Sequence, residues 1–176
     1  MKLYFDTNIL RDYLENRNPK SVELVELARQ KNADCFTSAF TMMELSDLQK
    51  DTLFFQKTVI GKKWDVDRFL RERRKKILSE ESYTEVNDYL NATTVRLPFI
   101  KFFNLSEDGW KIAQFISSHS NLSATDTLHL ATAYSAGSNA LVTNDQEFIK
   151  FGNEVLQKSK RRDDIVICTP EKVSIP

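Results

Sequence analysis

Short apolar runs alternate with segments of helical period along most of this chain, and that alternation is what most narrows its choice of fold. Residues 2–5 (KLYF), 35–37 (CFT), 140–142 (ALV) and 165–168 (IVIC) predict brief buried strands. Between them, Ile9, Leu10, Tyr13 and Leu14 recur at helical spacing, and a second helix opens at Pro19, a favoured first-turn residue. A third runs from about Ser38 through Leu48. Ser106 with Glu107 and Asp108 starts another, and one more begins after Ser123 and stops at Gly137, which suits a left-handed cap. Strands that alternate with helices imply an α/β fold, a parallel sheet with helices on both faces. The stretch at about 52–92 reads as additional helical material in the middle of the chain, an arm on a single domain spanning 1–176. Thr94–Leu97 reads as a strand or an extended connector, because Pro98 disfavours helical geometry in the residue before it.

Composition removes several classes of function. The chain has only four glycines in 176 residues, and none forms GxGxxG or GxxxxGK[ST], so glycine-rich phosphate cradles are absent. Lys plus Arg and Asp plus Glu both number 25, so the surface as a whole is no polyanion magnet. Cys35 and Cys168 form no CxxC pair and read as buried small hydrophobes in a reducing compartment. No apolar run approaches the roughly 18 residues of a membrane span. A soluble, cytoplasmic protein without membrane contact is expected.

In an open parallel sheet, ligands bind outside the carboxyl ends of the strands. Four acids fall at such places: Asp6 leaves the first strand, Glu44 sits in the helix after the second, Asp126 opens a late helix, and Asp145 follows ALVT. Each also has a purely structural role available to it. Asp6 can cap the first helix, Glu44 can complete a capping box with Thr41, Asp126 can do so with Ser123, and Asp145 can serve a turn. Together on one edge, however, they would repel one another unless a cation neutralised them. Oxygen ligands without a Cys or His set favour Mg²⁺ or Mn²⁺ over zinc. His129, three residues after Asp126, reads as a hydrogen-bonded histidine near the core.

The strings YFDTNIL, SAFTMMEL, ATDTLHLATA and ALVTNDQEF, in this order, resemble the PIN-domain ribonucleases, whose small bacterial members are VapC-like toxins of toxin–antitoxin pairs. The resemblance implies metal-dependent RNA cleavage, with Asp6, Glu44, Asp126 and Asp145 as catalytic and metal-site acids and Asn8 and Thr143 as supporting polar residues. It also implies an antitoxin as partner. A homodimer is a further expectation. A metal-activated water would leave a 5′ phosphate and a 3′ hydroxyl. A phosphatase of the haloacid-dehalogenase type would need a second acid two positions after Asp6, where Asn8 stands. A catalytically silent RNA-binding module and an RNA-processing nuclease that is not a toxin remain alternatives.

The middle segment carries the main charge asymmetry. From Gln56 to Lys76 there are nine basic residues against three acids, a net +6, with Trp64 and Phe69 interleaved. Arg71, Arg73, Arg74, Lys75 and Lys76 are candidates to grip RNA phosphates beside a stacking aromatic. The alternative is a solvated helix face whose aromatics pack inward. KSKRR (158–162) is a second, weaker basic patch.

Overall fold

The computed structural model describes residues 1–159 and 165–176. Lys160, Arg161 and Arg162 of the KSKRR patch lie outside the described residues. The chain divides into two compact units, Met1–Thr41 with Pro98–Pro176, and Met42–Leu97.

The first unit is built on five parallel strands: β1 (Lys2–Phe5), β2 (Asp34–Ser38), β3 (Ile100–Phe103), β4 (Ala140–Val142) and β5 (Val166–Cys168). Their order in the sheet is β3-β2-β1-β4-β5, and every pairing is parallel. The chain therefore steps outward from β1 to β2 and β3, then restarts at β4 on the other side of β1. β1 and β4 flank the switch point, where the loops at their carboxyl ends diverge and leave a crevice. Helices α1 (Thr7–Glu15) and α2 (Pro19–Gln30) follow β1. α6 (Glu107–His119) and α7 (Ala124–Ser135) follow β3, and α8 (Gln146–Lys158) follows β4. The right-handed crossovers that parallel strands adopt place the two sets of connections on opposite faces, because the strand order reverses.

Three buried strand residues, Tyr4, Leu141 and Ile167, pack with Ala113 and Ile116 of α6, Leu130, Ala131 and Ala133 of α7, and Phe148, Val155 and Leu156 of α8. Gly137 takes φ 65, as the αL stop predicts, and its N–H donates to the Tyr134 carbonyl. Both cysteines are free and buried. Burial pushes the Cys35 thiol up to about 11 and raises Cys168 as well. A raised thiol holds less thiolate, the reactive form. The folded protein should therefore leave both cysteines unreacted with a disulfide reagent such as DTNB at pH 8, with two equivalents released only in denaturant; rapid labelling of the native chain would contradict this burial.

The second unit is helical. α3 (Ala39–Phe55) starts in the first unit and runs on into a π-helical stretch, Gln56–Gly61. α4 (Val66–Glu72), a 3₁₀ turn (Arg73–Lys75) and α5 (Glu80–Arg96) complete it. Phe54, Phe69 and Leu78 form its small core, with Val59 and Trp64 packed against it.

Two local expectations need correction. Thr94–Arg96 are helical, as the last residues of α5, and only Leu97 leaves the helix, with φ −116 and ψ 43. Pro98 thus restricts its immediate predecessor and nothing earlier. The extended segment lies beyond the proline, in β3, which the apolar pattern does not announce. As an edge strand paired only with β2, it exposes Lys101 and Phe102. Thr41 is not a cap either. It is the third residue of α3, and its hydroxyl shares a 2.6 Å hydrogen bond with that of Thr37, so the Thr41–Glu44 capping box is not formed.

Candidate metal centre

β1 ends at the switch point, and the next residue, Asp6, is the N-cap of α1. Asp6 is 6% exposed, and its carboxylate is densely hydrogen-bonded. Oδ1 accepts from the Thr7 N–H at 2.7 Å. Oδ2 accepts from Asn8 Nδ2 at 2.7 Å and from the Thr143 hydroxyl at 2.7 Å. Asn8 Nδ2 also donates to Thr143 Oγ1 at 2.8 Å, and Asn8 Oδ1 accepts from the Asn144 N–H at 3.0 Å. Thr143 Oγ1 in turn accepts from the Asp145 N–H at 3.1 Å. The two polar residues predicted to support Asp6 thus touch it directly and tie β1 to the loop after β4.

That loop has a second anchor that sequence reasoning missed. Asn144 Nδ2 donates to Asp12 Oδ2 at 2.9 Å and to Ser21 Oγ at 3.0 Å, and the Ser21 hydroxyl donates to the same Asp12 oxygen at 3.0 Å. Asp12 is a buried acid on α1, and Ser21 lies on α2. No local motif brings an Asp, a Ser and an Asn from three elements together, and only the hydrophilic Asp12 on the inward stripe of α1 hints at it.

Asp126 and Asp145 both stand at helix starts. The Ser123 hydroxyl donates to Asp126 Oδ2 at 2.7 Å and accepts from the Asp126 N–H at 3.1 Å, so the S-x-x-D box is formed. Asp145 caps α8, its Oδ1 accepting from the N–H groups of Glu147 and Phe148 at 2.8 and 3.0 Å. Burial holds the Asp126 carboxyl above its ordinary range. The Ser123 hydrogen bond opposes this, the negative charge of Asp145 adds to it, and His129 opposes it. Asp126 and Asp145 therefore feel one another's charge. Capping and electrostatic coupling coexist: the structural roles are real, and they aim carboxylates at helix N-termini where negative charge is favoured.

His129 on α7 is 1% exposed. Its Nδ1 shares a 2.7 Å hydrogen bond with the Tyr4 hydroxyl, and its Nε2 lies 3.8 Å from Asp6 Oδ1. It is the core-side, hydrogen-bonded histidine that its position suggests, and it also faces the centre. Glu44 is half-buried on α3, in the second unit, three residues beyond Thr41. The start of that helix is held by the Thr37–Thr41 bond and by the Thr37 hydroxyl donating to the Phe5 carbonyl at 3.0 Å, one residue before Asp6.

The basic candidates occupy the second unit. Arg71 is in the last turn of α4, Arg73, Arg74 and Lys75 form the 3₁₀ turn, and Lys76 follows. Arg73 pairs with Asp51, and Lys76 Nζ lies 2.7 Å from Asp51 Oδ1. Burial alone would raise the Asp51 carboxyl, but these two cations hold it below its ordinary range. Trp64 packs edge-on against Phe54 with the Arg68 guanidinium 4.1 Å over its ring, and Phe69 lies against Phe54 and Phe55. The aromatics turn inward, so the stacking partner expected for RNA bases is already engaged by the protein.

The PIN domain family model matches residues 3–154. Among solved structures, the chain is similar to FitAcB from Neisseria gonorrhoeae, at 16% identity and a TM-score of 0.59, covering 97% of this chain and 99% of that one. It is likewise similar to VapBC2 from Rickettsia felis bound to a DNA fragment from their promoter, at 14% identity and TM-score 0.54, covering 96% and 98%. A third, FitAB bound to the IR36 DNA fragment, aligns at 15% identity and TM-score 0.52, covering 98% of both chains. No curated protein matches the chain. A parallel sheet with a hydrogen-bonded polar cluster at its switch point, together with a family match over most of the length, defines the class: this chain belongs to the PIN domain family. That family is one of nucleases.

Proposed function

We propose that this protein is a Mg²⁺- or Mn²⁺-dependent endoribonuclease acting in the cytoplasm as the toxin of a toxin–antitoxin pair. The observation that carries the reading is the buried Asp6 carboxylate, braced by Asn8 and Thr143 at the switch point. The donor set suits a hard divalent cation. Asp126 and Asp145 repel one another in the metal-free protein, and oxygen ligands prevail. Asp6, Glu44, Asp126 and Asp145 would hold the ion. When bound there, such an ion would supply a water of lowered pKa and positive charge to offset that of a phosphodiester. Asn8 and Thr143 keep Asp6 oriented, and the N–H groups at the start of α8 fix Asp145. RNA is the substrate, gripped in part by Arg71, Arg73, Arg74, Lys75 and Lys76 through its phosphates.

The family match runs through the helical unit, which favours one domain with a helical arm over two independent domains. The neighbours are complexes from VapBC and FitAB systems, some bound to DNA, and this supports an antitoxin as partner. We extend the same reading to a homodimer. Among the described residues no helix is long and apolar enough to cross a membrane.

The test is cleavage of a defined RNA with Mg²⁺ or Mn²⁺, with the ends of the products mapped. The expected products carry 5′ phosphates and 3′ hydroxyls and disappear in excess chelator. Undiminished cleavage in chelator, with 2′,3′-cyclic phosphate ends, overturns the mechanism. RNA binding without cleavage in either metal favours the silent binding module.

A further inference from the structure

Three side-chain hydroxyls are buried without a hydrogen-bond partner among the described residues: those of Ser38, Thr127 and Ser138. Buried polar atoms are nearly always satisfied, so each exception calls for an explanation. Ser138 lies beside the amino end of the sheet, where the next residue, Asn139, bonds to Lys2. Ser38 ends β2 at the opposite, carboxyl edge. The parallel register pairs Tyr4 with Phe36 and Phe5 with Val142, and carried on by two residues on the β2 side and one on the β4 side it sets Asp6 between Ser38 and Thr143. In-register neighbours on parallel strands present their side chains to the same face. Tyr4, Phe36 and Leu141, two residues earlier on each strand, identify that face by packing in the cluster that includes α7. It is the face on which His129 approaches Asp6 at 3.8 Å.

Asp6 therefore has two flanks in one row. On the Thr143 side a hydroxyl donates directly to its carboxylate. On the Ser38 side the adjacent strand, its backbone about 4.8 Å away as in any parallel sheet, ends in a buried hydroxyl without a partner. A bridging water is nearly as good a partner for such a hydroxyl as a direct bond. Ser38 is 1% exposed, so no nucleotide reaches it and its partner must be of water size. Mg²⁺ and Mn²⁺ sites of few carboxylates keep several waters, which need polar anchors where the site is buried.

We infer that Ser38 is a positioning residue of the metal centre, its hydroxyl hydrogen-bonding a water in the hydration shell of the cation carried by Asp6. This rests on the reading of Asp6 as a metal ligand.

Mn²⁺ titrated into the metal-free protein, followed by electron paramagnetic resonance of the free ion and by water-proton relaxation, tests both without any substrate. Ser38→Ala should weaken Mn²⁺ binding about 10-fold, the scale of losing a partner that supports a metal's ligands, and should change the relaxation enhancement of the bound ion. The melting temperature of the metal-free Ser38→Ala protein should stay level or rise, because an unsatisfied hydroxyl has been removed. Ser138→Ala, equally buried but at the other edge, should bind Mn²⁺ like the parent. Parental Mn²⁺ affinity in Ser38→Ala, with Asp6→Asn binding weakly, overturns the inference about Ser38 alone. So does a joint fall of affinity and metal-free melting temperature in Ser38→Ala, which marks a structural hydroxyl. A parent that binds no Mn²⁺, or an Asp6→Asn variant that binds it equally well, removes the metal-centre reading itself.

Discussion

Asp6→Asn should reduce metal-dependent RNA cleavage by at least about 100-fold, because a metal ligand's charge supplies several kcal/mol of transition-state stabilisation. The substitution is nearly isosteric, and Asp6 sits between donors on every side: the Thr7 N–H, Asn8 Nδ2 and the Thr143 hydroxyl. An amide nitrogen placed at Oδ2 would face two donors, so the side chain should turn its nitrogen to Oδ1 and lose the Thr7 bond. A buried group left unsatisfied costs about 1–3 kcal/mol, which lowers the melting temperature but leaves a domain of this size folded. The prediction is checked by parallel measurement of cleavage rate, Mn²⁺ affinity and circular dichroism. Near-parental cleavage by a folded Asp6→Asn protein would show that the carboxylate is only a helix cap.

Replacing Arg71, Arg73 and Arg74 together by Ala should weaken RNA binding for all sequences alike. Each lost phosphate contact on a single strand flattens the logarithmic salt dependence by about 0.7. The three arginines are not equivalent. Arg73 is engaged by Asp51, together with Lys76, so two of the segment's nine basic residues already share one acid outside it. Arg71 and Arg74 are exposed and should carry most of the effect, and Asp51→Asn should tighten binding by releasing Arg73 and Lys76. Filter binding across a salt series distinguishes the outcomes. An unchanged affinity and slope in the triple variant would make the arm a solvated helix face or a protein-binding surface.

The sheet and most helices are legible in the chain because their signals are local. Ser106, Ser123 and Asp145 each cap the helix that follows, and Gly137 supplies the αL stop. β3 was hidden because an edge strand need bury only part of itself. Its lysine and one phenylalanine face solvent, leaving no alternation to read. Asp6, Asn8 and Thr143 can be assembled from order and topology alone, since adjacent strand ends must meet. The Asp12–Ser21–Asn144 anchor and the Tyr4–His129 pair escape such reading. Their members lie up to 132 residues apart and each looks ordinary within its own element. Ser38 is legible only once the register is known, because its meaning lies in a missing partner.

The strand order has a consequence for the making of the protein. β1 is the middle strand and the first to be synthesised, yet one of its two neighbours, β4, comes near the end of the chain. A nascent chain holds Asp6 early, but the Thr143 hydroxyl that orients it and the Asp145 beyond are 137 and 139 positions away. Contacts this distant in sequence form late in folding. A ribosome translating this message therefore carries an Asp6 without its Thr143 partner until most of the chain has emerged.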